Sequence, residues 1–173
     1  GIRGYLLQTV VCLLEAVQND HNWIAVTLEP QPISEKIDII WYYSDGETKV
    51  VQVKSSQNPI GVKQVKKWAG ELKESYKATK YELVLIGPCT GGVAKLSQID
   101  LVYIPIPKSL DTNGLVEQAS HRLDYYLENR NLTRVSPSSR ELIVKALVTE
   151  FEISSITEKK MSREGFYAIL DKW

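Results

Sequence analysis

The sequence predicts an α/β protein in which helices flank a mixed β-sheet, followed by a helical C-terminal part. Two long segments carry apolar residues at helical spacing, and several short apolar runs end at Gly or Pro. Their order, α-β-β-β-α-β-β, is typical of a mixed sheet with helices on both faces. We therefore expect a core over residues 1–110 and a helical extension over residues 111–173, packed on the core or linked to it.

Periodicity and turn residues define the elements of the core. Helices are predicted over residues 2–19 and 61–77, each with an apolar face. Strands are predicted over residues 23–29, over both arms of a hairpin at about 36–54, and over residues 81–86 and 101–104.

The extension shows helical periodicity only. Helices are predicted over residues 113–129, 138–151 and 162–172, with Ser138 and Ser162 as N-caps. We find no strand signal in this region, and Gly91-Gly92 before it is predicted as a turn.

Composition indicates one globular domain of ordinary make-up. The chain has 173 residues, 43% of them hydrophobic and 24% charged, and its net charge is zero. Binding to nucleic acid would therefore need a local basic patch. Cys12 and Cys89 lack metal-ligand spacing, which favours two buried thiols in a reducing compartment. No apolar run is long enough to span a membrane, so we expect a cytoplasmic protein without a membrane partner.

The hairpin carries the most informative pattern, and the length of its loop sets the register. A three-residue loop, Ser44-Asp45-Gly46, places Asp38 opposite Gln52 and Ile39 opposite Val51, so that polar faces polar and apolar faces apolar. A two-residue loop would set Asp38 against Val53 and mix the two faces. We therefore predict the three-residue loop.

In this register Asp38, Gln52 and Lys54 lie on one face at the edge of the core. An unneeded charge is costly there. A carboxylate, an amide oxygen and an amine together can hold a divalent metal beside a phosphate. The alternative is a half-exposed hairpin with ordinary solvated polar residues.

An Asp followed by a strand with Glu or Gln, any residue and Lys resembles the PD-(D/E)xK, or restriction-endonuclease-like, nuclease superfamily, here as Asp38 and Gln52-x-Lys54. Arg3-Gly4-Tyr5-Leu6-Leu7-Gln8 resembles the Gly-Tyr-x-x-Gln start of nuclease domains in bacterial defence proteins, including Mrr-like enzymes. Two departures are Gln52 in place of the more usual Glu, and the lack of a Pro before Asp38.

The resemblance implies a restriction-endonuclease-like core and a Mg²⁺- or Mn²⁺-dependent DNA endonuclease that acts on double-stranded DNA in antiviral defence. Asp38, Gln52 and the Val53 carbonyl would hold the metal, with Glu15 or Glu29 as a further ligand, and Lys54 would orient the attacking water. The alternative is an inactive nuclease fold that binds nucleic acid or protein beside an NTPase or sensor domain in a longer chain. A homodimer is also open, because nucleases that cut both strands often pair.

Residues on the two predicted helices are further candidates. Gln8 and Glu15 share a stripe of the first helix, where Glu15 is either a metal ligand or part of the solvated flank. Lys63, Lys66 and Lys67 on the second helix could bind a DNA backbone. They could equally form a soluble surface, with Glu71 and Glu74 as local partners.

Overall fold

The computed structural model describes residues 2–18, 22–30, 36–132, 135–157 and 160–172. It confirms a mixed α/β fold. Its elements are, in chain order, α1 (Ile2–Ala16), β1 (Trp23–Leu28), β2 (Ile39–Tyr43), β3 (Thr48–Ser55), α2 (Val62–Ser75), β4 (Lys80–Ile86), α3 (Gly91–Ala94), β5 (Gln98–Ile99), β6 (Val102–Tyr103), α4 (Thr112–Glu128), α5 (Pro137–Ile156), β7 (Met161–Ser162) and α6 (Arg163–Asp171).

These elements form two compact units. The terminal unit combines the residues up to Leu28 with those from Asp111 onward, and the central unit runs from Glu29 to Leu110. The division predicted from the sequence, residues 1–110 and 111–173, stays a prediction, because compactness does not show which segments fold independently.

The central unit contains strands in the order β5-β6-β4-β3-β2. The β2–β3 and β5–β6 pairs are antiparallel, whereas β3–β4 and β4–β6 are parallel. Helix α2 crosses from β3 to β4 and packs its apolar stripe on one face of these strands. The core so formed includes Val65, Ala69 and Leu72 of α2 and Ile40, Val50, Leu83 and Leu85 of the strands.

The β2–β3 hairpin has the predicted register. Ile39 lies opposite Val51, and Tyr43 N–H donates to the Glu47 carbonyl at 3.0 Å. The three-residue loop closes at Gly46, whose φ is +83° and whose N–H donates to the Tyr43 carbonyl at 3.1 Å. The prediction of a three-residue loop is therefore confirmed.

The terminal unit packs α1, α4 and α5 together, and β1 pairs antiparallel with β7. Its core is rich in aromatic side chains; Trp23, Tyr126, Phe151 and Phe166 are almost fully buried. Long-range bonds tie the helices to one another, such as Arg122 Nη1 to the Leu14 carbonyl at 3.0 Å.

Several local predictions differ from the structure. Helix α1 ends at Ala16, and residue 19, the predicted end, lies outside the described residues. Strand β7 was missed because two residues are too short for a periodic pattern. Gly91-Gly92 opens the short helix α3 instead of a turn.

The two predicted N-caps had different outcomes. Ser162 is confirmed, because its Oγ accepts from Gly165 N–H at 3.0 Å. Ser138 is wrong: helix α5 begins at Pro137, and Ser136 Oγ accepts from Ser139 N–H at 3.3 Å. Pro at the first helical position favours this earlier start. None of the helices in the described ranges is long and apolar enough to cross a membrane.

Gly87, where β4 ends, allows a close approach of two backbone segments. Its φ is +129°, and a Cβ there would lie 2.1 Å from the Ser56 carbonyl oxygen. We expect Gly87→Ala to lower the free energy of unfolding by about 2–4 kcal/mol, because a strained backbone and a backbone clash add together. Urea unfolding measures the loss.

Two glycines provide matched controls for Gly87→Ala. Gly61→Ala meets nothing within 4 Å and replaces only the N-cap glycine of α2, so it should cost less than about 1 kcal/mol. Gly46→Ala has open space but a φ of +83°, so it should cost about 1–2 kcal/mol. A loss for Gly87→Ala no larger than that for Gly61→Ala would contradict the close approach.

Candidate functional site

Asp38 is a buried acid that hydrogen bonds hold at the residue just before β2 begins. Its N–H donates to the Val51 carbonyl at 3.0 Å, and its carbonyl accepts from Glu29 N–H at 2.7 Å. Its carboxylate Oδ2 accepts from Val53 N–H at 2.6 Å. The β2–β3 ladder ends at Ile39, so the carboxylate satisfies a backbone donor beyond the ladder. The two bonds to β3 flank Gln52 and fix Asp38 beside it.

Gln52 lies on the same face of β3 as Val50 and is only 2% exposed. Its side-chain Oε1 is buried and has no hydrogen-bond partner in the described part of the chain. A buried acceptor left unpaired costs about 1–3 kcal/mol. A cation or a donor placed at this oxygen would remove that cost.

Lys54 lies on the same face of β3 as Gln52, two residues further along the strand. Its ammonium Nζ lies 5.6 Å from the centroid of the Trp68 ring on α2, within the range of a cation–π contact. The ammonium also acts electrostatically on Asp38. Trp68 therefore helps to hold the charge of Lys54 close to the carboxylate.

Burial raises the pKa of the Asp38 carboxyl from 3.8 to about 6. The hydrogen bond from Val53 and the charge of Lys54 lower this pKa, whereas the charge of Glu29 raises it further. Glu29 thus acts on the site electrostatically, from a backbone with a φ of +42°. The groups that act electrostatically on Asp38 are thus a second acid, Glu29, and the amine of Lys54.

Few groups here suit a metal ion. Within the described ranges, no group of three or more His, Cys, Asp and Glu side chains could hold one. A cation would depend on the Asp38 carboxylate and the Gln52 amide oxygen, with water completing its shell. The predicted roles of the Val53 carbonyl and of Glu29 as ligands stay predictions.

Gln8 and Glu15 lie on α1 in the terminal unit. Glu15 is only 8% exposed, so the alternative that placed it on a solvated flank is wrong. Gln8 is half-buried. The functional roles of both residues stay predictions.

The lysines of α2 are exposed, as an interaction surface requires. Lys63, Lys66 and Lys67 form no ion pair among the residues that the structure describes, and Glu71 pairs with Lys36 at 3.4 Å instead. The predicted role of these three lysines in binding nucleic acid stays a prediction.

Sequence analysis missed a buried ion pair on the other face of β3. Lys49 Nζ donates to Glu82 Oε2 at 2.9 Å, and the two side chains are 10% and 14% exposed. The alternation of the two strands could have indicated this pair. Lys49 shares its strand face with the apolar Val51 and Val53, and Glu82 shares its strand face with the apolar Val84. This pair lies on the opposite face of β3 from Gln52.

Solved structures share this fold over nearly the whole chain. The Moraxella osloensis Cap4 SAVED/CARF-domain containing receptor matches with a TM-score of 0.70 and 12% identity, over 96% of this chain and 46% of that chain. The Acinetobacter baumannii Cap4 SAVED/CARF-domain containing receptor with the cyclic trinucleotide 3'3'3'-cAAA matches with a TM-score of 0.63 and 10% identity, over 96% and 45%. The same receptor with 2'3'3'-cAAA gives a TM-score of 0.60 at 9% identity, over 97% and 43%.

The chain therefore spans less than half the length of these receptor chains. At such identities the likeness shows the fold alone. No family model matches the chain, and no curated protein matches it.

These matches correct the predicted family. The structures that share the fold are SAVED/CARF-domain containing receptors, so the assignment to the PD-(D/E)xK nuclease superfamily is contradicted. The restriction-endonuclease-like core is not confirmed beyond a mixed α/β fold. The reason for the error is physical. Asp38, Gln52 and Lys54 define the local geometry of one hairpin, whereas a fold is defined by the path of the whole chain.

The predictions that depended on this family are contradicted with it. They are the Mg²⁺-dependent DNA endonuclease, its alternative as an inactive nuclease fold, and double-stranded DNA as partner. Two of the matching structures are receptors with a cyclic trinucleotide instead. The observed geometry around Asp38 does not depend on the family.

The raised pKa of Asp38 predicts a specific dependence of stability on pH. The folded state binds the Asp38 proton more tightly than the unfolded state, so this contribution is fully present below about pH 4 and is lost as pH rises through about 6. Asp38→Asn is neutral at every pH and keeps an oxygen for Val53 N–H. In metal-free buffer it should be more stable than wild type by up to about 2–3 kcal/mol at pH 8, with no advantage at pH 4.

Urea unfolding at pH 4, 6 and 8 with a chelator present measures this difference. Asp100→Asn, at an exposed position with a φ of +50°, is the matched control and should show no such trend. An offset between Asp38→Asn and wild type that does not change with pH would contradict the raised pKa.

Proposed function

We propose that this chain is a domain of a receptor that responds to a cyclic oligonucleotide. The observation that supports the proposal is the fold, shared over at least 96% of the chain with receptors of that kind. The role in antiviral defence expected from the sequence is compatible with such a receptor. The cytoplasmic location stays a prediction, in keeping with two cysteines that form no disulfide.

We also propose that the site around Asp38 binds Mg²⁺ or Mn²⁺. A divalent cation would offset the cost of burying the Asp38 carboxylate and would satisfy the unpaired Gln52 Oε1. The acids Asp38 and Glu29 favour this binding, and the amine of Lys54 beside them could contact a phosphate oxygen of a ligand. A cation held there would link this chain to an anionic ligand.

The receptor proposal is tested with 3'3'3'-cAAA in two arms. Isothermal titration calorimetry is run on this chain and on the full-length protein that contains it, with linear tri-adenylate as the control ligand. We expect saturable binding of the cyclic form in at least one arm, with a clear preference over the linear form. Binding to this chain would show that it contains the ligand site. Binding to the full-length protein alone would show that the ligand site lies outside this chain in the same receptor. Failure to bind in both arms would overturn the proposal.

The cation proposal is tested by thermal unfolding of chelator-treated protein at pH 8. We expect MgCl₂ or MnCl₂ to raise Tm for wild type, because a ligand that binds only the native state stabilises it, by about 2.7 kcal/mol at a hundredfold excess over Kd. Asp38→Asn should lose this rise, and Gln52→Glu should increase it by adding a charge. A KCl series of equal ionic strength controls for screening. Equal rises in wild type and Asp38→Asn would rule out the site.

A further inference from the structure

Helix α5 of the terminal unit has two apolar faces, one buried and one exposed. The buried face carries four apolar side chains, Ile143, Val144, Leu147 and Phe151. On the exposed face, Leu142, Ile153 and Ile156 are 63%, 50% and 78% exposed. A surface helix is ordinarily polar on the side away from the core, so a second apolar face indicates a binding surface.

The exposed face has the residue spacing of a coiled-coil seam. Its members are separated by four, three, four and three residues: Leu142, Ala146, Thr149, Ile153 and Ile156. This is the spacing of alternating d and a positions in a heptad, with Leu142 at d and Ala146 at a. At 3.6 residues per turn the five residues lie along one side of α5, and we call them the α5 stripe. A stripe with this spacing packs against one further helix.

The middle of the α5 stripe can be covered at little cost. The Thr149 hydroxyl Oγ1 donates to the Lys145 carbonyl at 3.0 Å, a bond within α5 that a packed interface leaves in place. Covering Thr149 therefore leaves no hydroxyl donor unpaired. Ala146 is small and already half-buried, so a partner helix can approach closely there.

The charges beside the α5 stripe indicate what covers it. Lys145 occupies the g position on one side of the stripe, and Glu150 occupies the following e position on the other side. In a parallel two-stranded coiled coil, each g residue lies beside the following e residue of the partner helix. A second copy would therefore bring its Glu150 beside Lys145, and two-fold symmetry would repeat this pair.

Both charged residues are available for such a pair. Lys145 and Glu150 are exposed to solvent. Lys145 Nζ lies 2.8 Å from Glu141 Oε1, but both side chains of this pair are more than half exposed, so the pair is weak. The charges on the two sides of the α5 stripe are thus complementary to those of an identical helix.

We propose that the α5 stripe binds the same stripe of a second copy of this chain, as a short parallel coiled coil. The two-fold axis places the apolar residues of one copy against those of the other and forms the Lys145–Glu150 pair twice. The stripe covers about four helical turns, so the dimer is small and should dissociate on the order of micromolar concentration. This inference does not depend on the receptor proposal or on the Asp38 site.

Sedimentation velocity tests the proposal over chain concentrations from about 1 µM to about 300 µM. We expect a reversible equilibrium between monomer and dimer. Ile153→Ser should weaken the dimer by at least about tenfold, because both copies lose an apolar contact at the interface. Ile106→Ser is the matched control: it removes the same side chain from a position in the central unit that is 89% exposed, and it should leave dimerisation unchanged.

Charge reversal tests the parallel arrangement and leaves the apolar residues in place. Lys145→Glu alone and Glu150→Lys alone each place like charges together in the homodimer, so each should weaken it at low ionic strength. A mixture of the two variants restores both opposite-charge pairs and should form a mixed dimer more tightly than either variant forms its own. Circular dichroism of every variant should stay that of wild type.

Three results would overturn the proposal. The first is a chain that stays monomeric over the whole range, which would mean that something other than a second copy, such as another part of a longer chain, covers the α5 stripe. The second is equal dimerisation of Ile153→Ser and Ile106→Ser. The third is a mixture of Lys145→Glu and Glu150→Lys that shows no preference for the mixed dimer.

Discussion

The hydrogen bond from Val53 N–H to the Asp38 carboxylate is the contact on which the central site depends. It holds a buried carboxylate where the β2–β3 ladder ends, beside the unpaired oxygen of Gln52 and near the ammonium of Lys54. Without it, the Val53 N–H would lose its carboxylate acceptor, and the Asp38 carboxylate would lose this neutral donor. The cost of keeping this acid buried appears as its raised pKa.

The Asp38 site that we propose contains one buried side-chain oxygen without a partner in the described part of the chain, Gln52 Oε1. Proteins break the rule of satisfied polar groups mainly at functional positions. The Trp68 ring lies 5.6 Å from the Lys54 ammonium, and this cation–π contact favours one position of the charge before a ligand binds.

The sequence predicted what local chemistry determines. Gly46 and the alternation along Ile39 and Val51 set the hairpin register, and the structure has that register. Features that depend on distant partners could not be predicted: Met161–Ser162 becomes a strand by pairing with β1, and Lys49 is buried by pairing with Glu82. The hydrogen bond from Arg130 Nη2 to the Tyr167 hydroxyl joins residues 37 positions apart in sequence, so no local pattern connects them. The family prediction was wrong for a related reason, since a few short motifs do not determine the path of a whole chain.

The central claim is that Asp38 is buried, ionisable near neutral pH and bonded to Val53. Nuclear magnetic resonance tests it most directly, by following the Asp38 carboxyl carbon and the Val53 amide proton through a pH titration without metal. We predict that both signals titrate together with a midpoint at about 6. An Asp38 carboxyl that titrates near its ordinary value of 3.8, with no change at the Val53 amide, would contradict the account.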